Sequence, residues 1–171
     1  IGCNFPYKEL CGCGVGFKLI QALAIQRNQS IEDLRSYLDL VATAIAADIV
    51  PMTGENRILT YYGLQVINTI PRTGIAAIIY QINKKSLTIT DVVFIIAPRI
   101  NAAGRMRHGN AAVALLTETD FEKAVDFARD INQQNSERKE LDRQITNEAL
   151  LQIEKNQEQE KYTTVVYDKS W

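Results

Sequence analysis

Apolar residues recur at helical spacing along most of the chain, and this pattern predicts a series of short helices followed by one long helix. The stretch from Leu38 to Val50 is almost wholly apolar and ends at Pro51, which predicts a buried helix. The shorter helices are predicted over 9–26, from the capping residue Ser30, over 38–50, 56–70 and 73–82, and from Thr88 or Thr90 to a point before Pro98.

The C-terminal part of the pattern predicts one long helix with two buried ends. From Asp120 to about Lys155 the chain has neither Gly nor Pro, with one apolar stripe before residue 132 and another after residue 140. Residues 132–140 include no apolar side chain, which leaves about 13 Å of helix wet on every side. Such a helix connects two domains; the alternative is a long surface helix of a single domain.

The final segment, KYTTVVYDKSW over 161–171, is rich in β-forming residues, and a strand there would need a partner beyond Trp171. The chain also begins without methionine, so we expect a fragment cut at both ends. Its expected organisation is the helical part of one domain over 1–118, a connector helix over 119–156, and the first strand of a second domain over 162–171. The fold class expected for the chain as given is mainly α.

Composition limits the function classes without choosing among them. The 171 residues, 46% hydrophobic and 23% charged, suit about one globular domain. No apolar run approaches the roughly 20 residues of a membrane span, and no signal-peptide pattern opens the chain. The net charge of -1 means that any nucleic-acid contact must come from a local basic patch.

Two patterns near the N-terminus suggest ligand sites, but their spacing does not support either. Three cysteines at positions 3, 11 and 13 are too few for a zinc site without a fourth ligand, and the only histidine, His108, is distant. Their odd number argues against a disulfide framework and favours a reducing, cytoplasmic compartment. Gly12, Gly14 and Gly16 lack the lysine spacing of a phosphate loop, so a close-packed helix start is favoured.

Asp48 is the most informative single residue. It lies near the C-terminal end of an apolar helix, where desolvation and the helix macrodipole both disfavour a negative charge. Asp39 is nine positions away, on the opposite side at about 100° per residue, so the two carboxylates cannot form a pair. Asp48 therefore requires a salt bridge to an arginine, or a divalent metal completed by other parts of the protein.

The segment APRINAAGRMRH over 97–108 is the second candidate for chemistry. Arg99, Asn101, Arg105 and Arg107 alternate with small residues, so a phosphate backbone could approach the main chain while guanidinium groups bind it. The alternative is a loop whose arginines pair with acidic residues of the same chain.

Read in order, several segments resemble the RecJ exonuclease family of DHH phosphoesterases. They are KELCGCGVGFKL at 8–19, LDLVA at 38–42, ADIVP at 47–51, GENR at 54–57, APRINAAGRM at 97–106 and VYDKSW at 166–171. The resemblance covers nearly the whole chain, and PRINAAGR is highly specific.

The resemblance implies a manganese- or magnesium-dependent nuclease that removes nucleotides from single-stranded DNA, typically 5′ to 3′, in repair and recombination. It implies that Asp48 is a catalytic metal ligand and that Arg99, Asn101 and Arg105 lie on the substrate side. The parent fold would be an α/β DHH phosphoesterase domain, joined by the long helix to a DHH-associated domain. Protein partners such as a single-strand-binding protein or a helicase are implied by the family alone.

The chain also departs from the family pattern. It contains neither Asp-His-His nor an Asp-x-Asp motif, so most metal ligands are expected upstream of Ile1 and the fragment alone is expected to be inactive. Two alternatives remain open: a DHH phosphoesterase acting on short oligonucleotides or cyclic dinucleotides, and a nucleic-acid-binding module without catalysis.

Overall fold

The computed structural model describes residues 2–82, 84–106 and 110–171, without the side chains of 103–106. Within these ranges the fold is mainly α, as predicted, and contains no strand. In chain order the elements are α1 (Gly12–Gln26), a 3-10 helix (Ile31–Tyr37), α2 (Leu38–Asp48), α3 (Gly54–Thr69), α4 (Thr73–Ile82), α5 (Ile89–Asp91), a π-helical turn (Val92–Ile96), α6 (Ala97–Met106), α7 (Asn110–Thr117), α8 (Phe121–Lys155) and a second 3-10 helix (Glu158–Glu160).

The predicted buried helix is confirmed, and α2 lies at the centre of the fold. One face of α2 carries Val41 and Ile45 into a cluster with α1 and α3. The other face carries Ala42 and Ala46 into a larger cluster with α4, the π-helical turn, α7 and the first part of α8. Because both faces are covered by apolar side chains, the helix has no periodic polar stripe, which explains its uninterrupted apolar sequence.

Two glycines allow helices to approach each other more closely than any side chain would permit. A Cβ atom at Gly63 of α3 would overlap the carbonyl oxygen of Leu38 at the start of α2. A Cβ atom at Gly74 of α4 would overlap the carbonyl oxygen of Leu115 in α7. Any larger residue would push these helices apart.

The prediction that the helix after Thr88 stops before Pro98 is wrong. Thr88 and Asp91 form a capping box at the start of α5, and the helical path continues through the π-helical turn into α6, where Pro98 is the second residue. Proline lacks an N–H group and crowds the carbonyl four residues earlier. The wider π-helical turn before Pro98 accommodates both effects, so the helix passes the proline without ending.

The long helix α8 is confirmed, but the description of its middle as wet on every side is wrong. Asn135 is only 2% exposed, and Asn132 contacts α6. The first apolar stripe is buried, whereas Leu141 of the second stripe is 52% exposed and Leu151 is 65% exposed. The second domain and its first strand stay predictions: residues 161–171 form no strand, and the Trp171 indole N–H donates to Glu148 at 2.7 Å.

Candidate functional site

The two aspartates of α2 lie on opposite sides of the helix, as their spacing predicted. Asp39, in the first turn, has a side chain with no exposed surface. Asp48, the last residue of α2, is exposed. Asp48, which we expected to be desolvated, is therefore in contact with solvent, and Asp39 is the buried carboxylate.

Asp39 is held by a complete set of donors. The Arg72 guanidinium donates from Nε to Oδ2 at 2.9 Å and from Nη2 to Oδ1 at 2.8 Å. The backbone N–H groups of Arg72 and Leu40 donate to Oδ2 at 3.0 Å and to Oδ1 at 2.7 Å. Arg72 also donates to the carbonyl oxygens of Leu116 and Ser36. This network joins the starts of α2 and α4 to the end of α7, so Asp39 has a structural role.

Asp48 has an open environment at the end of α2. Its carboxylate forms no ion pair or hydrogen bond with another described residue, and the chain turns away at Ile49, which adopts a left-handed backbone conformation. Although Cys13 is exposed, desolvation of its thiol by the surrounding protein raises its pKa; Cys11, Asp48 and Asp39 raise the pKa further, and Arg72 lowers it. The carboxylate is therefore free to take a cation, while the neighbouring thiol is kept protonated.

A divalent metal fits this site only in part. The described residues contain no group of three or more His, Cys, Asp or Glu side chains that could hold a metal ion. Hard divalent cations in proteins take six or more oxygen ligands, counting waters. Asp48 can supply one of them, and the rest would have to come from other parts of the protein.

The segment PRINAAGR forms helix α6, which packs against both α2 and α8. Arg99 is half-buried: its Nε donates to Oδ1 of Asn132 at 3.1 Å and its Nη1 donates to the Ile95 carbonyl at 2.8 Å. Partial burial lowers the pKa of the Arg99 guanidinium from its usual value. Two donors of Arg99 are thus engaged within the protein, which is a structural role that the sequence did not reveal.

Asn101 is exposed and faces a cleft of about 200 Å³ between α6 and α8. Pro98, Ala102 and Arg138 also line this cleft. Arg105 belongs to α6, but its side chain is outside the described set, and the candidate arginine at 107 and the histidine at 108 lie outside the described residues. The structure therefore brings Asn101 together with Arg138 of α8, a residue that we had not singled out.

The GENR motif has a structural role at the start of α3. Asn56 is completely buried, and its amide group donates to the carbonyl oxygens of Glu9 at 2.7 Å and of Pro51 at 3.0 Å. Glu55 forms an ion pair with Lys18 of α1 at 2.6 Å. Cys11 caps the start of α1, because its Sγ accepts a hydrogen bond from the backbone N–H of Gly14 at 3.4 Å. These contacts fix the segment before α1 against the end of α2, next to Asp48.

Comparison with known proteins identifies the class to which this helical chain belongs. No family model matches it. The chain is 38% identical over 165 residues to the single-stranded-DNA-specific exonuclease RecJ of Escherichia coli, covering 90% of this chain and 29% of that protein. It is 35% identical over 160 residues to the Bacillus subtilis protein of the same name, covering 90% of this chain and 19% of that one.

Solved structures give the same result. A crystal structure of exonuclease RecJ bound to manganese matches with a TM-score of 0.79 and 30% identity, over 87% of this chain and 38% of that one. RecJ of Thermus thermophilus in complex with Mg2+ matches with a TM-score of 0.78 and 29% identity, over 86% of this chain and 23% of that one. Over the segment that it covers, the chain belongs to the RecJ family. No described helix is long and apolar enough to span a membrane.

Proposed function

We propose that the natural protein containing this chain is a divalent-metal-dependent exonuclease that hydrolyses phosphodiester bonds of single-stranded DNA, typically from the 5′ end, in repair and recombination. The observation that carries this proposal is the match, over about nine tenths of the chain, to proteins named for that activity. The crystal structures that share the fold were solved with manganese or magnesium, which supports the choice of metal.

Asp48 is the residue of this chain that we assign to the metal site. Its carboxylate is exposed, has no partner among the described residues, and lies next to the segment fixed by Asn56. When bound, a pair of divalent ions would activate a water and neutralise charge that develops on the scissile phosphate. Asp48 would supply one oxygen ligand, and the remaining ligands would come from outside the described residues.

The residues of α6 are assigned to the DNA strand. Asn101 is exposed on this helix, and Arg99 and Arg105 bring two positive charges without an acidic residue in the α6 sequence. Because α6 packs against α2, a strand bound along α6 would lie beside the helix that carries Asp48. Arginines there would hold the phosphate in line for attack, which lowers the barrier through positioning.

The first experiment compares the 171-residue chain with the natural protein that contains it. Each is incubated with manganese and 5′-phosphorylated single-stranded DNA, duplex DNA or a cyclic dinucleotide, and nucleotide release is measured. We expect release from single strands by the natural protein and none by the chain alone, because one carboxylate cannot form a two-metal site. A preference for the cyclic dinucleotide would instead support the short-substrate phosphoesterase.

The role of Arg105 can be tested by binding rather than by turnover. For single strands, each neutralised phosphate contributes about -0.7 to the slope of log K against log salt concentration. We expect Arg105→Ala to flatten this slope by about that amount for every DNA sequence, and Arg129→Ala, on the exposed surface of α8, to leave it unchanged. An unaltered slope with wild-type affinity in Arg105→Ala would remove this residue from the proposed DNA interface.

A further inference from the structure

The buried face of α8 changes from apolar to polar where it meets α6. Ala124, Ala128 and Ile131 are buried at helical spacing, and the same face continues through Asn135 and Arg138. Packing a polar face against another helix is costly unless its groups find partners. The change of polarity therefore indicates that this part of α8 serves a purpose other than core formation.

Polar side chains form the contact between α8 and α6. Asn132 accepts a hydrogen bond from the Arg99 guanidinium at 3.1 Å, which links α8 to α6 directly. One helical turn further on, the Oδ1 atom of Asn135 is buried and has no hydrogen-bond partner among the described residues. About two turns on, Arg138 of α8 lines the cleft of about 200 Å³ together with Pro98, Asn101 and Ala102 of α6.

We propose that this cleft is a backbone-phosphate subsite for single-stranded DNA and that Arg138 is its cation. The proposal rests on the proposed function and extends it from α6 to the long helix. Arg138 is about one third exposed, and its planar guanidinium carries five donors suited to phosphate oxygens. The Asn101 amide provides a further donor on the opposite wall, and Pro98 and Ala102 leave room for a phosphate to enter.

Local charge favours a polyanion over a protein carboxylate as the occupant. The sequence of α6 has no acidic residue, and the Arg99 guanidinium, which does not line the cleft, donates to neutral oxygens of Asn132 and Ile95. Because no carboxylate neutralises it in these bonds, its charge adds to the positive potential near the cleft. In this structure one Nη1 donor of Arg138 is occupied by Asp142, at 3.0 Å on the next turn of α8. Asp142 thus competes with an incoming phosphate and holds the guanidinium in place until DNA binds.

The test measures the affinity of the natural protein for single-stranded DNA across a range of salt concentrations, with hydrolysis stopped by chelation of divalent metals. Arg138→Gln keeps much of the length of the side chain and removes its charge. Arg129→Gln is the matched control, because Arg129 also forms an intrahelical ion pair, with Asp126 at 2.8 Å, but lies outside the cleft. Asp142→Asn removes the competing carboxylate.

We expect Arg138→Gln to weaken binding about tenfold at low salt, as for loss of a charge-assisted hydrogen bond. It should also flatten the salt slope by about 0.7. Asp142→Asn should tighten binding, and Arg129→Gln should change neither quantity. Equal behaviour of Arg138→Gln and Arg129→Gln would overturn the subsite, and so would a fall in thermal stability of Arg138→Gln with unchanged affinity. Failure of the wild-type protein to bind or degrade single strands would instead refute the proposed function.

Discussion

The two carboxylates of α2 occupy one helix but have opposite environments. The four described hydrogen bonds to the Asp39 carboxylate have donor–acceptor distances of 2.7–3.0 Å, and each carboxylate oxygen accepts two of them. Asp48, nine residues later, is exposed and has no described partner. The comparison shows that complete burial of an aspartate marks a fully satisfied structural ion pair here, whereas the unpaired aspartate is the one available for chemistry.

The two carboxylates also differ in how much each contributes to the stability of the fold. A buried ion pair offsets its desolvation only when its geometry is good and its remaining atoms are hydrogen-bonded, a condition that Asp39 and Arg72 meet. Asp48 gains nothing comparable, because a negative charge at a helix C-terminus is disfavoured by about 0.3–1 kcal/mol. A residue that contributes so little to stability is a good candidate for a functional role.

The sharpest test of the comparison is Asp48→Ala in the natural protein. We expect nuclease activity in manganese to fall more than about 100-fold, since loss of even outer partners of a metal ligand costs about 10–100-fold. The midpoint of urea unfolding should change little, because the exposed side chain forms no hydrogen bond or ion pair with a described residue. A folded Asp48→Ala variant with near-normal activity would show that Asp48 is not a ligand.

Asp39→Asn is the converse variant. It keeps the shape of the side chain but leaves the Arg72 charge without its carboxylate, which should cost about 3–5 kcal/mol of unfolding free energy. Activity per folded molecule, measured at a temperature where the variant is folded, should stay close to that of wild type. A stable Asp39→Asn protein that has lost activity would exchange the roles that we assign to the two aspartates.

The double variant Asp39→Leu/Arg72→Met tests whether the Asp39–Arg72 ion pair itself stabilises the fold. Replacement of both charged partners by apolar residues of similar volume is often neutral or even stabilising, because neither charge is then buried alone. We therefore expect an unfolding free energy much closer to wild type than that of Asp39→Asn, measured by urea denaturation. A double variant as unstable as Asp39→Asn would mean that the other hydrogen bonds of the network, from Arg72 to two carbonyl oxygens and from two backbone N–H groups to Asp39, matter more than the ion pair.

The sequence predicted the elements of this fold better than it predicted their surroundings. The buried α2 and the bounds of α4 follow from local apolar spacing, which reports on the helix itself. The full length of α8 follows from two apolar stripes joined by a polar segment that contains neither Gly nor Pro. Pro98 was misread because the π-helical turn that accommodates it has no local sequence signature. The burial of α8 around residue 132 was missed because a polar segment was taken to be solvated, although its partner is the equally polar α6.

The sequence indicated some residues of the candidate site, but it did not indicate the residues that lie against them in the fold. The spacing of Asp39 and Asp48 correctly placed them on opposite faces, but the partner of Asp39, at position 72, lies 33 residues away and has no motif around it. Arg138 was missed for a different reason. A signal was present, since positions 124, 128, 131, 135 and 138 form one continuous stripe, but it was interrupted by a change from apolar to polar residues.

Asp91 gives an intermediate case between the two aspartates of α2. It caps α5 through Thr88 and pairs with Lys84 at 2.5 Å. The hydrogen bond from Lys84 and those from Thr88 lower the pKa of this carboxyl from 3.8 to about 2.

Because the folded-state pKa of Asp91 is depressed, its stabilising contribution is present above about pH 4 and is lost as the pH falls towards 2. We expect Asp91→Asn to lower the unfolding free energy by a constant amount from pH 7 to about pH 4, and the difference from wild type to shrink below that, as followed by urea denaturation at each pH. Asp126→Asn is the control, because its exposed pair with Arg129 should contribute only about 0–1 kcal/mol. A difference for Asp91→Asn that persists unchanged at pH 3 would mean that the cap acts through its shape rather than its charge.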